Sequence, residues 1–269
     1  MTQTNSLPTS PSKTEGKSAA EDSSKVVRIY IIRHGQTDFN QRGILQGHYN
    51  SQLNAQGHAE SKALGAYFKQ EGIRPDAVWS SDLDRCRETT ANILDGAGSS
   101  SSSSSTGNTD DGDAHPSVVF SRHLRERSLG ELETMPIVAA KQRVAAAGKT
   151  MSDYGEPHSA VVERIHAIWP SFINNALDQG LGTIFFVTHG GYIKILAKYL
   201  INEWGATVAE TIPLEQIRHP ANTSFTVLEV PMDCDRANPG KRAVITDFCA
   251  TPHLTEKHKV KQINFADGQ

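Results

Sequence analysis

Two histidines occupy matching positions in the sequence, each just behind a short apolar run. The run at residues 26–32 is followed by Arg33 and His34, and the run at residues 184–187 leads within two positions to His189. Glycine follows each histidine and permits close approach of a ligand to the backbone. An imidazole can act as a nucleophile, and an arginine presents forked donors that match phosphate oxygens. The pattern therefore indicates a functional site rather than two incidental histidines.

The elements that must position these histidines alternate between strand and helix. Apolar, β-branched runs predict strands at residues 26–32, 77–79, 118–120 and 184–187, with edge strands at 224–230 and 243–248. Capping residues and apolar spacing predict helices at residues 55–70, 84–94, 135–147, 158–177 and 191–200. This order is typical of an α/β fold, in which ligands bind outside the carboxyl ends of the strands. Both histidines stand at such an end.

Seven short motifs resemble one known family and occur in that family's order. They are RHGQTDFN at residues 33–40, LQGH at 45–48, LNAQG at 53–57, SSDLDR at 80–85, LRER at 124–127, THGG at 188–191 and NTS at 222–224. Together they resemble the phosphoglycerate mutase-like branch of the histidine phosphatase superfamily over residues 27–253. In the residues that they contain, these motifs are similar to those of fungal broad-specificity phosphatases and fructose-2,6-bisphosphatase-like phosphatases.

The resemblance implies both a fold and a set of roles. The implied fold is a three-layer α/β/α sandwich with a mostly parallel central sheet and a small helical cap insertion. His34 is the implied nucleophile, which forms a phosphohistidine, and Glu126 is the implied general acid and base. The resemblance assigns the remaining roles as phosphate binding by Arg33, Arg85 and His189, and substrate contact by Asn40, Gln46, Gly47 and Gly190.

Two of these assignments have ordinary alternatives in the sequence itself. Arg85 opens a helix whose first turn is acidic, so an exposed ion pair of little energetic value is the alternative to phosphate binding. Glu126 belongs to a charged stretch in which Glu131 is a rival acid. Near residue 155 the chain departs from the compact pattern of the family, which leaves roles for Glu156 and Ser159 open.

Composition excludes several other classes of protein. With 27 basic and 30 acidic residues the formal net charge is −3, which argues against a nucleic-acid partner. No apolar run is long enough to predict a membrane span, and the polar start does not predict a secretory signal. Three widely spaced cysteines favour a reducing compartment, so we expect a cytoplasmic location, with the nucleus as the alternative. No ligand pattern predicts a metal, and we expect no cofactor.

The chain also contains segments of low complexity. Residues 1–25 lack aromatic side chains and predict a disordered tail. Seven consecutive serines at residues 99–105 mark residues 96–115 as a loop insert in a catalytic domain that spans residues 26–253. Residues 254–269 are predicted to form a C-terminal tail.

The substrate predicted from the sequence is a small phosphate ester, with sugar phosphates and bisphosphates as the candidate classes, and the predicted reaction is hydrolysis. A phosphoglycerate mutase is the alternative enzyme, and a non-catalytic module that binds phosphorylated ligands is the alternative from another class. A second phosphate would need further cations, for which the sequence offers Arg42, Lys194 and Arg218 with His219. Solvated surface charges are the simpler interpretation of these four residues. The oligomeric state is left open.

Overall fold

The computed structural model describes residues 25–96, 116–212 and 220–255. The predicted N-terminal tail and serine-rich insert lie outside these ranges except at Lys25 and Gly96. Arg218 and His219 also lie outside them. Of the predicted C-terminal tail only Leu254 and Thr255 are described, and Leu254 is buried.

One sheet of seven strands organises the described part of the chain, in the order β3-β2-β4-β1-β6-β7-β5. The strands are β1 (Val26–Arg33), β2 (Ala77–Ser81), β3 (Ser117–Ser121), β4 (Thr183–Thr188), β5 (Thr207–Val208), β6 (Phe225–Pro231) and β7 (Val244–Ala250). Strand β6 runs antiparallel to β1 and β7, and the other four neighbouring pairs are parallel. The sheet is therefore mixed and mostly parallel, as predicted.

Helices cover both faces of this sheet. They are α1 (Asp38–Arg42), α2 (Ala55–Gln70), α3 (Asp84–Gly96), α4 (Ile137–Ala146), α5 (His158–Asp178) and α6 (Gly190–Asn202). In β1, Ile29 and Ile31 pack in one core cluster with α5 and α6, whereas Tyr30 and Ile32 pack in a second cluster with α2 and α3. Because successive strand side chains point to opposite faces, this alternation proves a three-layer α/β/α arrangement.

A third, smaller core forms the helical cap. Leu132, Ala140, Val144 and Tyr154 are buried together around α4, apart from the two clusters on the sheet. Residues 129–154 therefore form a small cap with its own apolar centre, in addition to the two clusters on the sheet.

One expectation from the sequence needs correction, and one helix was missed. Strands β6 and β7 are not edge strands, because β6 pairs with β1 and β7, and β7 pairs with the two-residue β5. Strand β3 and the short β5 form the edges instead. Helix α1 was not predicted, since five residues are too few to show a helical period; a capping box between Thr37 and Asn40 marks its start.

Candidate active site

A cavity of about 470 Å³ opens beyond the carboxyl end of β1. Its polar lining includes Arg33, His34, Arg85 and Glu126, which come from three separate segments of the chain. Apolar side chains from α1, the loop after it, the cap and α6 complete the wall: Phe39, Ile44, Leu45, Leu129, Ile137 and Ile195. The cavity thus combines charged groups at one place with apolar walls suited to the carbon skeleton of a small ligand.

The ring of His34 is held in one tautomer by the backbone. Its Nδ1 lies 2.7 Å from the carbonyl oxygen of Gly35, and since a carbonyl only accepts, Nδ1 must carry the hydrogen. In the neutral ring Nε2 is then the atom with the lone pair. The loop is fixed by two further hydrogen bonds, from Asn222 Nδ2 to the His34 carbonyl at 2.9 Å and from the Gly35 N–H to Thr89 Oγ1 at 2.9 Å. His34 is therefore oriented as a nucleophile through Nε2.

Two guanidinium groups supply positive charge beside His34. Arg33 donates through Nη1 to the Pro220 carbonyl at 2.6 Å, and its buried Nε makes no hydrogen bond to the described residues. Burial lowers the pKa of Arg33 to about 10, with the nearby carboxylates of Glu126 and Glu60 acting in the opposite direction. The group is still charged at neutral pH, and an anion in the cavity would give the Nε hydrogen an acceptor.

Arg85 is almost fully buried and braces the loop that follows α1. It donates to the Gly47 carbonyl at 2.9 Å and to the Tyr49 carbonyl at 2.9 Å, and its Nε donates to Nδ1 of His189 at 3.2 Å. Burial lowers its pKa. An arginine has five N–H donors, so these three bonds leave two for an anion in the cavity.

His189 lies behind Arg85 rather than on the cavity wall. Its Nδ1 accepts from Arg85, so Nε2 carries the hydrogen and donates to Ser81 Oγ at 2.9 Å. The side chain is fully buried, and burial together with the positive charge of Arg85 holds its pKa well below the ordinary value. In this structure the neutral His189 orients Arg85, and its direct contact with phosphate stays a prediction.

Glu126 reaches across the cavity from the loop after β3 to the first turn of α6. Its Oε2 accepts from the Gly191 N–H at 2.8 Å, and its Oε1 accepts from the Arg127 N–H at 2.9 Å. The Glu126 carbonyl accepts from His48 Nε2 at 2.8 Å, which ties this loop to the loop after α1. The carboxylate is therefore fixed at the cavity and can exchange a proton with a ligand bound there.

The rival acid faces elsewhere. Glu131 is exposed and forms an ion pair with Arg143 of the cap helix. Glu156 pairs with Arg164 at 2.7 Å, and neither Glu156 nor Ser159 lines the cavity. None of the three residues that the sequence left open as alternatives lies beside His34.

Of the predicted substrate contacts, Asn40, Gln46 and Gly47 line the cavity. The Oε1 of Gln46 accepts from Thr37 Oγ1 and Ser51 Oγ, so its Nε2 amide is the group it can offer to an anion. Gly47 adopts a φ of 53°, a left-handed conformation that favours glycine. Gly190 is buried at the start of α6, and its neighbour Gly191 lines the cavity in its place.

Several other lining residues were not singled out for the site from the sequence. Besides Gly191 these are Arg127, His158 and Lys198. A sequence signal existed for Lys198, since it stands four positions after Lys194 in a predicted helix and so shares its face. Arg127 and His158 gave no comparable signal, because their places depend on the path of the cap. Lys194 lines the cavity, whereas Arg42 does not.

Comparison with known proteins agrees with this geometry. The family model described as histidine phosphatase superfamily (branch 1) matches residues 29–236. The chain belongs to this superfamily.

Named relatives extend the assignment. A broad-specificity phosphatase of Saccharomyces cerevisiae is 32% identical over 180 residues, which cover 66% of this chain and 72% of the relative. The fructose-2,6-bisphosphatase TIGAR B of Danio rerio is 24% identical over 231 residues, 74% of this chain and 84% of the relative. A crystal structure of phosphoglycerate mutase from Bacillus anthracis matches with a TM-score of 0.66 at 21% identity, covering 86% of this chain and 96% of the other, which shows the fold. As a member of this family with phosphatase relatives, the protein is a phosphatase.

Within residues 25–96, 116–212 and 220–255, no helix is long and apolar enough to cross a membrane. Nor do these residues bring together three side chains of the kinds that hold a metal ion.

Proposed function

We propose that the protein hydrolyses small phosphomonoesters through a phosphohistidine on His34, with Glu126 as general acid and base. The observation that carries the proposal is the bond from His34 Nδ1 to the Gly35 carbonyl, which assigns the lone pair to Nε2. His34 lines the cavity together with Glu126, Arg33 and Arg85.

In the first step the phosphate dianion binds between the two guanidinium groups. Both are held by protein acceptors before a ligand arrives, so little reorganisation opposes transition-state stabilisation. Nε2 of His34 forms a bond to phosphorus while the bond to the leaving oxygen breaks, and Glu126 gives that oxygen its proton. The Nδ1–H···O bond to Gly35 stabilises the positive ring that results.

In the second step water replaces the departed alcohol. Glu126, now a carboxylate, takes a proton from the water as its oxygen bonds to phosphorus and the bond to Nε2 breaks. Inorganic phosphate leaves and His34 returns to its neutral form. The residues that act in both steps belong to this chain, and the expectation that no metal is needed stays a prediction.

The test is phosphate release by the purified protein in the presence of EDTA. The substrates are p-nitrophenyl phosphate, glycerol 3-phosphate, fructose 6-phosphate, fructose 1,6-bisphosphate and 3-phosphoglycerate, with formation of 2-phosphoglycerate followed in the last case. We expect release that is abolished by His34→Asn, a change that keeps an N–H near the position of Nδ1. Isomerisation of 3-phosphoglycerate without net phosphate release would instead identify a mutase. The absence of any reaction with all five substrates would favour a binding module. Release that survives His34→Asn would contradict the mechanism.

A further inference from the structure

The wall that α6 contributes to the cavity contains two lysines. Gly191, Lys194 and Lys198 lie at successive turns of one helix face, and all three line the cavity. From the rise of an α-helix, the two lysines stand about 5 Å and about 10 Å along the axis from Gly191, where Glu126 is bound. The lysines therefore stand one and two turns beyond the acid, at exposed positions of the cavity wall.

The positive charge on this wall has no acidic counterpart among the described residues. Lys194 and Lys198 form no ion pair with the described residues. Because like charges four positions apart on a helix repel each other, this pair of lysines destabilises α6 slightly. By contrast, several arginines are paired with carboxylates, as Arg125 is with Asp82 at 2.6 Å. Glu126 is the only carboxylate among the described residues that line the cavity.

Neighbouring residues strengthen this positive region. Arg127 is fixed there because its guanidinium donates to the carbonyls of Met151, Tyr154 and Glu156 at 2.8–3.0 Å. The pKa of His158 is lowered first by burial and then by the charges of Arg127, Lys198 and Lys194, which places His158 within the field of all three cations. These cations are separate from Arg33 and Arg85, which the mechanism assigns to the phosphate that is transferred.

We propose that Lys194 and Lys198 form a second anion-binding subsite that selects phosphomonoesters with a second anionic group. This proposal rests on the proposed function for the orientation of the substrate. The transferred phosphate lies between Arg33 and Arg85, the carbon skeleton contacts the apolar wall, and a carboxylate or second phosphate reaches the lysines. The ammonium group of a lysine has three rotatable N–H donors, so it can bind either a carboxylate or a phosphate.

Matched pairs of substrates test the subsite. Glycerol 3-phosphate and 3-phosphoglycerate differ by a hydroxymethyl group against a carboxylate, and fructose 6-phosphate and fructose 1,6-bisphosphate differ by one phosphate. We expect kcat/KM to be about tenfold higher for the doubly anionic member of at least one pair, and the pair that shows it identifies the anion. The preference should weaken as salt rises, because the lysines are exposed.

The variant Lys194→Gln/Lys198→Gln should remove this preference, because kcat/KM should fall much further for the doubly anionic substrates than for p-nitrophenyl phosphate. Lys194→Arg/Lys198→Arg should keep it, and Lys62→Gln, an exposed lysine of α2, should change nothing. A preference that is absent, or that survives in the glutamine variant, would overturn the subsite.

A binding measurement separates this proposal from the mechanism. Calorimetry on the His34→Asn protein, which lacks the nucleophile, compares affinities for the same pairs with and without the lysine substitutions. A preference in binding that depends on the lysines would support the subsite even if the protein released no phosphate. Equal affinities within both pairs would reject it even if phosphate release depended on His34.

Discussion

The backbone N–H of Gly191 donates to Oε2 of Glu126 at 2.8 Å, across 65 positions of sequence. This bond joins the first turn of α6 to the loop after β3 and holds the proposed proton donor at the cavity. A Cβ atom at position 191 would lie 2.5 Å from Oε1 of the same carboxylate. Glycine at this position is therefore a condition for the placement of Glu126.

We expect Gly191→Ala to displace the Glu126 carboxylate and to lower kcat/KM for glycerol 3-phosphate at least tenfold. Gly182→Ala is the matched control, since its added Cβ would meet nothing closer than 3.6 Å. Steady-state kinetics of the two variants, with circular dichroism to verify folding, provide the comparison. Equal activity in both would show that Glu126 does not need its present position.

The loss of activity on replacing Glu126 should depend on the leaving group of the substrate. Glu126→Gln keeps the shape of the side chain and removes its proton, so kcat/KM for glycerol 3-phosphate should fall about 10²–10⁴-fold. The loss should be much smaller for p-nitrophenyl phosphate, whose leaving group needs little protonation. Glu131→Gln, at the exposed residue paired with Arg143, should leave both values unchanged. The same loss on both substrates would move the acid role to another group.

Arg85 should contribute to stability as well as to phosphate binding. Arg85→Lys cannot reach the Gly47 and Tyr49 carbonyls and His189 Nδ1 together, so buried acceptors lose their donor. We expect the free energy of unfolding to fall by about 2 kcal/mol. Urea denaturation measures this change, and Arg87→Lys on the exposed face of α3 should shift it by less than about 0.5 kcal/mol. A neutral result for Arg85→Lys would mean that other donors replace it.

The depressed pKa of His189 predicts a pH dependence of stability. An unfolded histidine takes up a proton near pH 6.5, while the buried His189 stays neutral to much lower pH. The unfolded state therefore binds more protons below this value, and the free energy of unfolding must fall as the pH falls. Relative to His189→Gln, wild type should lose up to about 1.4 kcal/mol per pH unit between about pH 6 and 5. Urea titrations at several pH values with parallel slopes for the two proteins would contradict this.

Much of the fold was predictable because local patterns agree with the tertiary structure. Helix α2 occupies the predicted residues 55–70, since Asn54 caps its start through a hydrogen bond to the Gly57 N–H. The strands at residues 26–32 and 184–187 were visible as apolar runs because both are buried on two faces. Strand order was not predictable from these runs, because pairing depends on contacts between distant segments.

In the site, too, some features follow from local sequence and others depend on contacts between distant segments. The position of His34 at a strand end follows from local sequence, and Glu126 was assigned by motif resemblance. The distinction between Glu126 and Glu131 depends on long-range partners, Gly191 for one and Arg143 for the other. The placement of His189 behind Arg85 also depends on contacts 104 positions apart, which no spacing within a motif reports.

The most direct test of the mechanism is detection of phosphate on the enzyme during turnover. The protein is mixed rapidly with p-nitrophenyl phosphate, quenched in alkali, under which phosphohistidine survives, and analysed by peptide mass spectrometry. The mechanism predicts one phosphorylated peptide, with the phosphate on His34, that forms in wild type and is absent from His34→Asn. Accumulation should increase with Glu126→Gln, since that carboxylate activates the water of the second step. Phosphate on a different residue, or on His34 with kinetics too slow to account for turnover, would contradict the central claim.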